Sequence, residues 1–170
     1  MHPSMIALAL LGASAAGPAL AQDTMLDLST PETFAAALQG AGYKAQLKKD
    51  DKGEPYILSA VNGSEFTVDF YECKLGKCGS AQITSWYKPD PLFTLALVNE
   101  WNNGYRFLRV GISDTGRLRE FVGITTVGTV SKSQFADMID WYAQMDNSFA
   151  RFLDTKRKSA ADTGTKPAAP

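Results

Sequence analysis

Between Ser131 and about Thr155, the residues Phe135, Met138, Ile139, Tyr142, Met145, Phe149, Phe152 and Leu153 recur at three- and four-residue spacings. That is the period of an amphipathic helix, and it is the strongest periodic signal in the chain. So broad a stripe carries more apolar surface than one small sheet needs. A second helix is predicted in PDPLFTLALVNEWNNG, with Asp90 as cap, Pro91 at the first helical position and Gly104 as stop. Set at 100° intervals, its Leu92, Phe93, Leu95, Leu97, Val98 and Trp101 fall all round the circumference, so it is expected in the middle of the fold or at a subunit interface. A third helix starts at Ser29-Thr30-Pro31-Glu32, with Ser29 as cap and Glu32 as its capping-box partner, and runs through FAAALQGAG to Gly40 or Gly42.

The intervening segments read as strands. YKAQLKK alternates apolar and polar residues, DDKG supplies a turn, and YILSAV leads to Asn62-Gly63, a strong hairpin signal. EFTVDFY puts Phe66, Val68 and Phe70 on one face and Glu65, Thr67 and Asp69 on the other. CKLGKC then separates it from AQITSWY. Further on, YRFLRVGIS and RLREFVGITTVG make a hairpin whose register works only with a three-residue loop and Gly116 left-handed. Leu108, Val110 and Ile112 then share a face with Leu118, Val122 and Ile124, leaving Arg109 and Arg119 opposite with Phe107 and Phe121. Glu120 is the misfit, an acidic residue on the apolar side. The fold class is α+β, a single domain with an antiparallel sheet in the order α-β-β-β-α-β-β-α.

The first 21 residues have the architecture of a signal peptide: an apolar run from Met5 to Ala16, the breaker Gly17-Pro18, and a small-x-small site that sets cleavage after Ala21. Only the amino terminus and His2 supply positive charge ahead of that run. The apolar run is shorter than the roughly 20 residues of a membrane span, and no later segment qualifies, so a transmembrane segment is not expected in the mature chain. The expected location is periplasmic or secreted. Cleavage would remove the only histidine, and with it histidine-based nucleophile activation, general acid–base work and His-containing metal sites. With 17 Lys plus Arg against 18 Asp plus Glu, there is no global positive field for nucleic acid. The expected division is a signal peptide over 1–21, one domain over 22–155, and a disordered tail over 156–170, where KRKSAADTGTKPAAP has almost nothing to bury.

Cys73 and Cys78 make an even pair in an exported chain, which reads as a structural disulfide; they lack the spacing of a thioredoxin-like redox motif and the partners of a zinc site. Glu65 and Asp69 stand about 13 Å apart along their strand, too far for paired acid–base work, and with Glu72 read as a solvated sheet face. Asp50, Asp51 and Glu54 around Gly53 make a turn rather than a calcium loop. Two groups are candidate binding surfaces. Trp101 with Asn102 and Asn103 combines an aromatic ring with adjacent amides, although core packing with helix capping is the competing explanation. Arg106, Arg109, Arg117 and Arg119 concentrate charge suited to a carboxylate, against the alternative of a solvated strand face. Lys156, Arg157 and Lys158 suit the C-terminal dipole of the last helix.

The stretches FYECKLGKCGSAQI, LVNEWNNGYRFLRVGISDTGRL and VGTVSKSQF, together with the element order, resemble the YbjN-like family over roughly Ser29 to Leu153. The resemblance implies a fold like that of type III secretion chaperones and a role in regulating sensory transduction. GITTVG stands where family members often carry acidic residues before the final helix. None of these motifs is a catalytic signature. The function expected is therefore a non-enzymatic exported interaction module, without cofactor or metal, that binds a polypeptide partner and forms a possible homodimer. The alternative is a small-molecule or lipid-binding sensor with a pocket lined by Trp86, Trp101 and Trp141.

Overall fold

The computed structural model describes residues 23–162, and its chain order is β1 (Met25–Asp27), α1 (Pro31–Gly40), β2 (Ala45–Lys49), β3 (Pro55–Val61), β4 (Ser64–Tyr71), β5 (Ser80–Trp86), α2 (Leu95–Gly104), β6 (Arg109–Ile112), β7 (Leu118–Thr125), β8 (Thr129–Ser131) and α3 (Lys132–Asp162). The expected signal peptide and its cleavage point lie outside the described residues. The class is mixed α and β with an antiparallel sheet, as expected. The order differs in three places: AQITSWY contributes a fourth strand, β5, before α2, and the short β1 and β8 pair with each other. A three-residue strand carries too little pattern to be read from sequence.

Six strands form one sheet in the order β2-β3-β4-β5-β7-β6, every neighbouring pair antiparallel. The β6–β7 hairpin has the expected register: Ile112 faces Leu118, Ser113 and Arg117 close the loop, and Gly116 is left-handed at φ 72°. Alternation puts Ile57, Phe66, Val68, Ala81, Ile83, Val110, Leu118 and Ile124 on the inner face, and all are buried. The helices cover that face. Phe34 of α1 meets Phe70 and Phe135 edge-on, Tyr142 of α3 meets Phe66, and Trp101 of α2 meets Phe149. Such aromatic pairs add to the area they bury.

The helix starts need correcting. Thr30, not Ser29, caps α1, forming a capping box with Thr33 in place of Glu32, while Asp27 accepts from the Ser29 N–H. Asp90 does not cap α2: its carboxylate accepts from Leu92 N–H in a preceding turn, and Thr94 is the cap. Starting four residues later, α2 buries Leu97, Val98 and Trp101 on one side and leaves Leu95 exposed, so it is not apolar all round. Phe107 lies outside β6 with φ 68°, which turns it toward Trp141 rather than toward Arg109's face. The last helix runs to Asp162, so residues 156–162 are helical instead of tail; 163–170 lie outside the described residues. Lys156 pairs with Glu100 and Arg157 with Asp90, so they tie α3 to α2 and the turn before it rather than capping a helix end.

Candidate functional site

The outer face of the sheet carries no helix among the described residues. Across its β5–β7–β6 end, Trp86 stands opposite Arg119 and Arg119 opposite Gly111; in the next row Thr84 stands opposite Phe121 and Phe121 opposite Arg109. Arg117 and Arg119 both lie over the Trp86 ring, with guanidinium carbons 4.6 and 5.8 Å from its centroid, and Arg119 also lies 4.8 Å from the Phe121 centroid. Cation–π attraction holds the guanidinium groups over the rings. Gly111 supplies no side chain beside Arg119, keeping this surface open. None of the ion pairs among the described residues involves Arg109, Arg117 or Arg119. Trp86 is 42% exposed. Farther along the face, burial raises the pKa of Asp69 above the usual carboxylate range, despite the Thr67 hydroxyl, and raises that of Tyr71.

On the opposite side of the same strand sits a buried polar cluster. Glu120 points inward from β7, flanked by Ser85 of β5 and Val110 of β6, and is fully buried. Tyr87 Oη donates to Glu120 Oε2 at 3.2 Å, while Oε1 has no donor. From α3 come Tyr142, whose hydroxyl is 2.7 Å from Ser85 Oγ, and, one turn later, the buried Asp146. Asn62, left-handed at φ 51° in the β3–β4 turn, donates through Nδ2 to Asp146 Oδ2 at 2.7 Å and to the Ala143 carbonyl at 2.8 Å. Burial, followed by the Asp146 carboxyl, pushes the Glu120 pKa up to about 9. Burial and the neighbouring carboxyls also raise Tyr87 and Tyr142, which stay protonated as hydroxyl donors. Sequence pattern marked Glu120 only as out of place and missed Asp146 and Asn62.

Both the outer face and the buried cluster fall within residues 30–155, which match the model of the YbjN family, described as "Putative bacterial sensory transduction regulator". The chain belongs to the YbjN family. No curated protein matches it.

Within this YbjN domain the expected binding residues separate. Trp101 is 1% exposed: its ring stacks on Tyr105 at 3.8 Å, and Nε1 donates to the Leu108 carbonyl at 3.0 Å. Asn102 exchanges two 3.0 Å hydrogen bonds with Val110 N–H and C=O, acting as a one-residue strand against the free edge of β6. Asn103 is exposed. Trp101 and Asn102 therefore serve packing and edge protection. Arg109 donates to the Asn102 carbonyl at 2.8 Å and carries the cationic face to the sheet edge. Trp86, Trp101 and Trp141 do not converge, for they lie on the outer face, in the core and beside Phe107 respectively. A cleft of about 690 Å³ lies elsewhere, between residues 89–95 and the hairpin loop 112–116. Cys73 and Cys78 are joined in a disulfide, and the Cys78 N–H donates to the Ser29 carbonyl, pinning the β4–β5 loop beside the start of α1. Asp50 Oδ1 accepts from Lys52 and Glu54 N–H groups, so that acidic cluster builds a turn.

Proposed function

We propose that this YbjN chain is an exported, non-enzymatic regulatory module that takes up an acidic polypeptide segment on the outer face of its sheet. The observation that carries the reading is Arg117 and Arg119 lying over the Trp86 ring without an acidic partner among the described residues. A cation–π contact uses the guanidinium charge without consuming its N–H donors, which are left to fork onto a carboxylate. The rings beneath supply apolar contact for an extended chain. Asn102 blocks strand addition at β6, which favours docking on the face over docking on that edge. The disulfide fits an oxidising compartment, and among the described residues no helix is long and apolar enough to cross a membrane. The resemblance to type III secretion chaperones adds a homodimer as the expected assembly, to be tested by light scattering of the chain from Gln22.

Fluorescence anisotropy with a labelled Glu-rich peptide and its Gln-matched counterpart tests the reading. The Glu-rich peptide is expected to bind, to weaken with added salt, and to lose about tenfold in affinity, or 1.4 kcal/mol, on Trp86→Ala or Arg119→Ala. Equal binding of the Gln-matched peptide, or variants that bind as tightly as the parent, refutes it. A second reading, small-molecule sensing, draws on the 690 Å³ cleft, where Phe93, Leu95 and Ile112 meet Asp90 and Asp114. Native mass spectrometry that finds a retained small molecule would favour it.

A further inference from the structure

We infer that Glu120 and Asp146 form a buried proton-binding site, and that the shared proton latches the C-terminal half of α3 onto the sheet. The geometry requires a proton. Both carboxyls are buried between β7 and α3, and Glu120 Oε1 makes no hydrogen bond, the Tyr142 hydroxyl being engaged with Ser85 Oγ. An ionised carboxylate accepts only, so two ionised groups would leave that oxygen unsatisfied and place like charges together in a low-dielectric wall. One proton converts Oε1 into a donor toward Asp146 and satisfies both groups.

The groups acting on Glu120 from the elements around it are Asp146 and Tyr142 of α3 and Tyr87 after β5; β5 and β6 contribute the uncharged Ser85 and Val110. Asn62 secures the other side of Asp146. Beyond Asp146, α3 carries Phe149 and Phe152, which cover Trp101. Farther along that half, Lys156 pairs with Glu100 and Arg157 with Asp90, both solvent-screened surface pairs. Losing the proton therefore sets two like charges against each other between β7 and α3 and leaves Asp146 held through Asn62 alone, so the helix beyond it loosens and the aromatic surface beneath its end becomes accessible.

The sign follows from the raised pKa of Glu120. The folded chain holds a proton that the unfolded chain releases near the ordinary glutamic acid value of about 4.3. The stability this site supplies is complete below that pH and is lost progressively as the pH rises to about 9.

The test is hydrogen exchange of the full mature chain at pH 6 and pH 9, corrected for intrinsic rates, with Glu120→Gln beside the parent. Gln keeps the shape and a donor toward Asp146 but cannot titrate. The parent is expected to lose protection in residues 146–158 by about tenfold at pH 9, while Glu120→Gln shows no pH response there. An infrared carbonyl band of a protonated carboxyl should be present at pH 7 and absent from Glu120→Gln. Asp146→Asn removes the neighbouring charge and should move the transition to lower pH, which keeps the test decisive if Glu120→Gln fails to fold. A parent without pH-dependent protection, without the band, or with the same response in Glu120→Gln overturns the inference. These readouts do not depend on peptide binding, so either proposal can fail alone.

Discussion

Replacing Trp101 by Ala tests whether this ring is a core anchor. It removes an indole that is 1% exposed, stacked on Tyr105 with rings 11° from parallel and touched edge-on by Phe149 at 4.8 Å and Phe152 at 5.4 Å. Truncating a buried aromatic to Ala costs about 3–5 kcal/mol in lost burial and residual cavity. The Nε1 hydrogen bond also disappears, leaving the Leu108 carbonyl without its donor, for about 1 kcal/mol more. Relaxation of the half-exposed Tyr105 offsets part of this, so a loss of about 4–5 kcal/mol is expected, a large share of a typical domain's stability. With a urea slope of roughly 2 kcal/mol/M, the midpoint should fall by about 2 M. Urea titration followed by far-ultraviolet circular dichroism measures this. Trp101→Phe keeps most of the ring contact and drops the N–H, and should cost about 1.5–2 kcal/mol. A loss below about 1 kcal/mol for Trp101→Ala, with peptide binding abolished, would refute the packing argument and return Trp101 to the binding surface.

Asn102→Ala should cost about 2 kcal/mol by leaving both polar groups of Val110 unpaired, speed exchange of the Val110 amide, and raise the tendency to self-associate as the β6 edge opens; an unchanged amide rate would contradict the edge-protection role. Reducing the Cys73–Cys78 disulfide closes no long loop, since the cysteines are five residues apart, and should lower stability by only about 2 kcal/mol. Urea midpoints that coincide with and without reductant would show that the cross-link does not stabilise the fold.

Much of the architecture was legible because periodicity is local. The stripe from Phe135 to Leu153 and the alternation in EFTVDFY each follow from which side chains must leave water, and the register at Gly116 follows from the loop length that keeps Val110 and Leu118 inward. The helix starts were less legible. Ser29, Thr30 and Thr94 all have capping side chains, and the choice among them depends on backbone angles fixed by β1 and by the turn at Asp90. The arginines of the candidate face were visible as a cluster, but their placement over Trp86 was not, because β5 and β7 are joined only through α2 and β6.

The sequence by itself determined the fold class, the cysteine pair and the amphipathic faces, for each is written in neighbours that lie within a few residues of one another. Only the tertiary structure decided that Trp101 is core and Trp86 is surface, and that Glu120, Asp146 and Asn62 meet in one buried cluster. Those outcomes depend on contacts between β7, α3 and the β3–β4 turn, segments separated by as many as 84 positions. A buried carboxyl is intelligible only once its partners are in place, because the same residue type on a solvated face would carry no proton at neutral pH.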